Sequence, residues 1–285
     1  MSSLYVLVSD FFLEDIIGGG EINSDELIRI FVSRGLKIVK IRSNQLKISD
    51  IDKLEESSNS IKYIISNFLF LKEEVKDRLQ KEKYVIYEHD HKYLFHRNPS
   101  LYEEYLAPPS DIINMSFYKN SNAVMCQSAF HKNILQKNLK IENVINLSGN
   151  LWSEELLNLM ADISKKEKKD RCSIMDSPID HKNTAAAIGY CRYKNYEYDL
   201  IPHMATKDFL REVGKNNKLI FFPKTPETLS RITVEARMMG MSVIGNKNIG
   251  ATREPWFKSK GLELIEVMKK KRKEIPNLVL EALDG

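Results

Sequence analysis

The sequence is poor in cysteine, in long apolar runs and in phosphate-binding fingerprints, and each shortage removes a class of protein. Its three cysteines, Cys126, Cys172 and Cys191, are an odd number, lie far apart and include no CxxC pair. A disulfide framework and a structural zinc site are therefore not expected, and a reducing cytoplasmic setting fits best. No stretch offers the 18 or so uncharged apolar residues that a membrane span requires, and Met1-Ser2-Ser3 runs into an apolar strand without a basic leader, so secretion is not expected. No short-period repeat and no GxGxxG fingerprint occur. A dense basic face is lacking too. Residues 1–150 hold 19 Lys/Arg against 20 Asp/Glu, and residues 151–285 hold 24 against 19, so the halves carry −1 and +5. That split is too weak to indicate nucleic acid, so no nucleic-acid partner is expected, and it suits a C-terminal half that holds a small anionic ligand.

What is present is a chain of 285 residues, 42% of them hydrophobic, enough for one large domain or two small ones. Apolar, β-branched or aromatic runs recur at Leu4–Ser9, Lys37–Ile41, Tyr63–Ile65, Tyr84–Tyr87, Ala123–Cys126 and Val144–Leu147, with helix-compatible stretches between most of them. This alternation predicts a parallel sheet wrapped by helices. Leu27, Ile28 and Phe31 share one face of a helix over Ser24–Ser33, which Gly35 ends. Near Ser148-Gly149-Asn150 the pattern changes. A Lys-rich helical stretch, Glu154–Lys169, and a polar loop, Asp170–Lys182, precede strands expected at Ala185–Cys191, Lys218–Phe222 and Ser242–Gly245. The expected organisation is an α/β domain over 1–150, a second, shortened α/β domain over 151–256 and a helical segment over 257–285.

Function is carried chiefly by the segment Phe221 to Asn248, which reads as strand, loop, helix and strand. Pro226 and Glu227 are placed at a helix start, leaving the backbone N–H groups of Thr228, Leu229, Ser230 and Arg231 to meet an anion. Glu227 and Glu235, eight residues apart, would stand about 12 Å apart along one helix, near the span of a diphosphate with a sugar at each end.

This segment resembles the E-x7-E region of retaining GT-B glycosyltransferases, particularly family 4. The shared features are a strand ending in Pro, the first Glu, the Glu235-Ala236 pair, the helix-ending Gly240 and the Val243-Ile244 strand. The resemblance implies two Rossmann-like domains facing a cleft, with the N-terminal domain on the acceptor side and the C-terminal domain binding the donor. It also implies that Glu235 holds the nucleotide ribose, that Glu227 contacts the donor sugar and that Ser230 with the adjacent amides faces the diphosphate. Gly18-Gly19-Gly20-Glu21 resembles the Gly-Gly-x-Glu loop that closes over the donor phosphates. Tyr84–Tyr87 followed by Glu88-His89-Asp90-His91 resembles the strand ending in His-Asp, which puts His89 near the reacting centre. A metal site on His89, His91 and His96 is the alternative there, and no metal is expected. Ile188-Gly189 through Leu200-Ile201 has the spacing of the family's Gly-Arg…Lys-Gly segment. Tyr190 and Asn195 occupy its cation positions, and Arg192 and Lys194 nearby are the candidates for the diphosphate charge.

The function expected is transfer of a sugar from a nucleoside diphosphate sugar to an acceptor hydroxyl, with retention and without a cofactor. The acceptor is a glycan, a lipid-linked group or a protein. Another GT-B reaction, such as epimerisation or hydrolysis, and a non-enzymatic nucleotide-sugar-binding protein are the alternatives. Asp50-Ile51-Asp52 matches the metal-binding DxD of GT-A transferases but reads as a helix start capped at Ser49. The run Lys269–Lys273 reads as a helix end, with peripheral membrane contact as the other use. Trp152 and Trp256 read as packing residues at the domain junction.

Overall fold

The computed structural model describes residues 3–58 and 60–285; Met1 and Ser2 of the polar lead-in lie outside them. The chain forms two compact units. One contains the described residues up to Gln127, with Lys132–Leu151 and Arg272–Gly285; the other contains Ser128–His131 and Trp152–Lys271.

The first unit is built on six strands: β1 (Leu4–Ser9), β2 (Lys37–Arg42), β3 (Ile61–Ile65), β4 (Lys83–Tyr87), β5 (Ala123–Cys126) and β6 (Val144–Asn146). They pair in the order β2-β1-β3-β4-β5-β6, every pairing parallel. Such a sheet needs crossover helices, which are α1 (Gly19–Ser33), α2 (Ile48–Ser57), α3 (Glu73–Leu79), α4 (Met115–Lys119) and α5 (Ala129–Leu139). β3 is buried along its whole length, as a central strand covered on both faces must be. Leu27, Ile30 and Phe31 turn the apolar face of α1 onto Tyr5 and Leu7, and Gly35, with φ of +74°, takes the left-handed turn that ends it. That helix starts five residues earlier than its periodicity indicated. Gly19 and Gly20 form its first turn, and Gly18 is the extended residue before it. The glycine triplet is therefore a helix start rather than a loop.

The second unit holds α6 (Glu154–Ser164), β7 (Lys169–Met175), α7 (Thr184–Lys194), β8 (Tyr198–Ile201), α8 (Thr206–Val213), β9 (Asn216–Phe221), α9 (Arg231–Met238) and β10 (Ser242–Gly245). Its four strands run in the order β10-β9-β7-β8, again all parallel. The strand expected at Ala185–Cys191 is instead helix α7. Three consecutive alanines favour helix, and the buried Ala187 and Cys191 stand one helical turn apart. Two strands are unexpected: β8, and β7, which falls largely in the supposed polar loop, with Cys172, Ser173 and Ile174 buried after a charged start. Trp152 and Trp256 belong to the apolar core of this unit.

Helix α10 (Leu262–Asp284) begins in the second unit, where Leu264, Ile265 and Met268 join its core, and finishes in the first, where Ile275, Val279 and Leu283 pack with Tyr5 and Leu7. Within the basic run, Lys269 pairs with Glu266 at 2.7 Å and Arg272 with Glu26. Among the described residues no helix is long and apolar enough to cross a membrane. Asp50 caps α2 by accepting from the Lys47 N–H at 3.1 Å, so the cap lies at Lys47 rather than Ser49; Asp52 pairs with Arg78.

Candidate functional site

The carboxyl ends of parallel strands leave loops free to carry polar side chains, and in the second unit the loops after β7 and β9 meet there. Thr184 Oγ1 donates to the Met175 carbonyl at 2.9 Å and fixes the loop that leaves β7. Asn183, left-handed at φ of 58°, donates to the Phe222 carbonyl, and the Lys224 N–H donates to the His181 carbonyl, both at 2.9 Å. These bonds tie the β7 loop to the chain leaving β9. They bring Lys182 Nζ to 2.8 Å from Glu227 Oε1, with the ammonium also over the Phe221 ring. Burial pushes the neighbouring His181 imidazole below its ordinary value, and the Lys182 charge pushes the same way. Lys182 is a candidate site residue that the sequence did not point to.

Glu227 is not the start of a helix. It forms an isolated parallel bridge with Ile249, its N–H donating to the Asn248 carbonyl at 2.7 Å and its carbonyl accepting from the Gly250 N–H at 3.0 Å. Thr228 and Leu229 continue as irregular chain, because Ser128 holds the Thr228 carbonyl and the Ala251 N–H holds the Leu229 carbonyl. The Leu229 side chain is buried in the core. The helix begins at Arg231, so the rise of about 12 Å expected between the glutamates does not describe their separation. Ser230 precedes it at φ of 75°, is 5% exposed, and its Oγ has no partner among the described residues. A buried hydroxyl without a partner is costly, and here it stands beside the positive end of an eight-residue helix.

Glu235 lies one turn further on. Its Oε1 accepts from Trp152 Nε1 at 2.9 Å and lies 3.6 Å from Arg231 Nε, while the Arg231 guanidinium stacks on the Trp152 ring at 4.5 Å. Glu227, Ser230, Arg231 and Glu235 are thus gathered around one helix start, with Thr228 in the chain that leads to it. Arg192 and Lys194 are not. Both are exposed in the last turn of α7, at the end opposite Lys182.

The first unit has a polar group of its own. The His89 ring stacks on Tyr87 at 5.1 Å and 20°, and a Cβ added to Gly20 would lie 3.3 Å from its Cγ, so His89 and the glycine helix start are neighbours. Gln127 Nε2 lies 2.9 Å from His89 Nδ1. Burial raises the Glu21 carboxyl in the first turn of α1, against its own N–H and Asn67. Behind His89, the wholly buried Lys92 bonds Glu88 and reaches Asp90 at 2.8 Å, and Tyr118 donates to Glu88. Burial lifts Glu88 to about 7 against the Lys92 attraction. For Asp90 burial acts upward too, but Lys92 outweighs it and holds the carboxyl low. His91 bonds Tyr93 and His96 meets Phe95, so these histidines have separate partners; among the described residues no group of three His, Cys, Asp or Glu side chains is placed to hold a metal ion.

No family description and no curated protein matches the chain. Solved structures do match along nearly its whole length. Anabaena Alr3699/HepE, in complex with UDP and glucose, is 10% identical over 95% of this chain and 89% of its own, with a TM-score of 0.56. The catalytic domain of Starch Synthase IV from Arabidopsis thaliana, bound to ADP and acarbose, is 9% identical over 100% and 99%, with a TM-score of 0.54. An alpha-glucosyltransferase in complex with UDP and a 13-mer DNA is 11% identical over 99% and 93%, with a TM-score of 0.50. The fold is thereby that of the GT-B glycosyltransferases.

Proposed function

We propose that this chain is a glycosyltransferase that moves a sugar from a nucleoside diphosphate sugar to an acceptor hydroxyl, with retention and without a metal, in the manner of the family 4 E-x7-E enzymes. The observation that carries the reading is the buried Ser230 Oγ, without a partner among the described residues, at the start of α9, in the segment that runs from Glu227, paired with Lys182, to Glu235. A diphosphate oxygen supplies the missing acceptor for Ser230, and the helix start favours its charge. Lys182 takes the charge assigned from sequence to Arg192 and Lys194. The Glu235 Oε1 is held by Trp152 and Arg231, which leaves Oε2 to accept from ribose hydroxyls. Glu227, steadied by Lys182, faces the donor sugar. The GT-B fold, shared with proteins whose structures hold UDP or ADP, supports the same assignment.

The bond from the anomeric carbon to the diphosphate breaks, the acceptor oxygen takes its place while its proton passes to the departing diphosphate oxygen, and the remaining charge is received by Lys182, Ser230 and the first turn of α9. The family resemblance also assigns His89 and the Gly18–Gly20 helix start to the reaction. A glycan, a lipid-linked group or a protein is the acceptor, and the Lys269–Lys273 run offers contact with an anionic membrane surface for a lipid-linked one.

Thermal shift against UDP, GDP, ADP and their sugars, in EDTA, tests the reading. At least one nucleotide raises the melting temperature of wild type, and Ser230→Ala with Lys182→Ala reduces the shift. A chain that no nucleotide stabilises, or that needs manganese to respond, would refute it.

A further inference from the structure

A backbone carbonyl can only accept a hydrogen bond, so the Gln127 atom 3.1 Å from the Glu88 carbonyl is the amide nitrogen Nε2. The orientation of that amide is settled by this contact. The same nitrogen lies 2.9 Å from His89 Nδ1. An amide nitrogen offers two protons and no acceptor; one goes to Glu88 and the other to His89, so Nδ1 receives. A neutral imidazole that accepts at Nδ1 carries its own proton on Nε2. Protonating Nδ1 would set N–H against N–H.

The far end of Gln127 is held as firmly. Its Oε1 accepts from Asn150 Nδ2 at 3.0 Å, and turning the Asn150 amide would set Oδ1 against Oε1. Asn150 is 2% exposed, and its Oδ1 has no partner among the described residues, so this orientation is maintained at the cost of a buried acceptor. Charged groups lie on two elements that carry or neighbour the ring. Glu21 comes from α1, and Glu88, Asp90 and Lys92 come from the ring's own segment, with Arg97 paired to Asp90 at 3.2 Å.

We propose that Gln127, locked by Asn150 and the Glu88 carbonyl, is a positioning residue that keeps His89 as the neutral imidazole protonated at Nε2. In that form His89 donates a hydrogen bond and acts neither as a base at Nδ1 nor as a cation. Its use toward the sugar rests on the function proposed above; the tautomer rests on the geometry of the first unit alone.

Long-range proton–nitrogen correlation spectra of the full chain with ¹⁵N-labelled histidine, at neutral pH, read the tautomer directly. His89, identified by loss of its signals in His89→Gln, shows an unprotonated Nδ1 and a protonated Nε2. A protonated Nδ1 in wild type would overturn the proposal, whether or not any variant folds. Gln127→Glu turns an acceptor toward Nδ1; a proton then appears there, and turnover falls roughly three- to tenfold, the scale of one lost hydrogen bond, with donor KM little changed. An unaltered His89 signature in a folded Gln127→Glu protein would equally overturn it. The spectra need no substrate, so a chain that transfers no sugar would sink the proposed function while the tautomer is still decided.

Discussion

Gly250 is the position where one methyl group tests the architecture of the proposed donor site. It starts the short 3-10 turn Gly250–Arg253, and its φ lies outside the left-handed region, so alanine meets no backbone strain. All of the effect is steric. A Cβ there would lie 2.6 Å from Ser128 Oγ, 2.8 Å from the Glu227 carbonyl oxygen, and closer still to that of Thr228. Ordinary contact begins near 3.4 Å, and two of the three obstacles are backbone. Relief requires the 227–228 segment to shift, which stretches the 3.0 Å bond from the Gly250 N–H to the Glu227 carbonyl and disturbs the hold of Ser128 on Thr228. Overpacking of about 1–3 kcal/mol and one weakened hydrogen bond of about 1 kcal/mol give a destabilisation of about 2–4 kcal/mol for Gly250→Ala.

The same shift displaces the chain that leads into Ser230 and the start of α9, so nucleoside diphosphate affinity falls at least about tenfold, the equivalent of about 1.4 kcal/mol. Equilibrium denaturation gives the first quantity and calorimetric titration the second. Gly189→Ala is the control, since a Cβ there meets nothing within 4 Å and alanine favours the α7 helix. Wild-type stability and affinity in Gly250→Ala would refute the packing argument for the loop that carries Glu227.

Glu235→Ala weakens nucleoside diphosphate binding by about 1.5–3 kcal/mol, the scale of a charged hydrogen bond, whereas Glu227→Ala lowers turnover with diphosphate affinity largely kept; titration and steady-state kinetics separate the two. Gly20→Val crowds the His89 ring, whose Cγ would stand 3.3 Å from the new Cβ, and lowers turnover severalfold with a smaller change in nucleotide affinity; wild-type kinetics would remove the glycine helix start from the reaction. Glu88, lifted from 4.5 to about 7 in the fold, binds its proton more tightly there than in the unfolded chain. Its contribution to stability is full below pH 4.5 and is lost as the pH rises through about 7; Glu88→Gln removes that decline from the pH profile of unfolding, and an unchanged slope would count against it.

Much of the fold is legible in the sequence because burial on both faces leaves a plain mark. All six strands of the first unit coincide with apolar runs, and Gly35 announces the end of α1. The second unit hides more. β7 begins Lys169-Asp170-Arg171 and is apolar only in its centre, so charge masks it, while the apolar run after it is alanine-rich and helical. Short apolar runs of seven residues do not distinguish the two states, and the alanines were the evidence to weigh. The start of α1 was missed for the opposite reason. Three glycines signal a turn, yet Gly18 supplies an extended residue and Gly19-Gly20 enter the helix, an arrangement set by the contact of Gly20 with His89.

The site was legible where one short segment carries it and illegible where distant loops must be stitched together. Glu227, Ser230 and Glu235 lie within nine residues of one another, so a local pattern reached all three, even though the helix begins later than that pattern required. Lys182 lies 45 residues before its partner Glu227, and its place follows from three bonds that no spacing encodes: Thr184 to Met175, Asn183 to Phe222, and Lys224 to His181. The last two depend on β7 and β9 being adjacent in the sheet. The Gly-Arg…Lys-Gly resemblance points to Arg192 and Lys194, at the far end of a run, Ala185–Cys191, that reads as a strand. Reading the same run as a helix reverses the argument. The end that meets the carboxyl edge of the sheet is then the start of α7, and the cation beside it is Lys182.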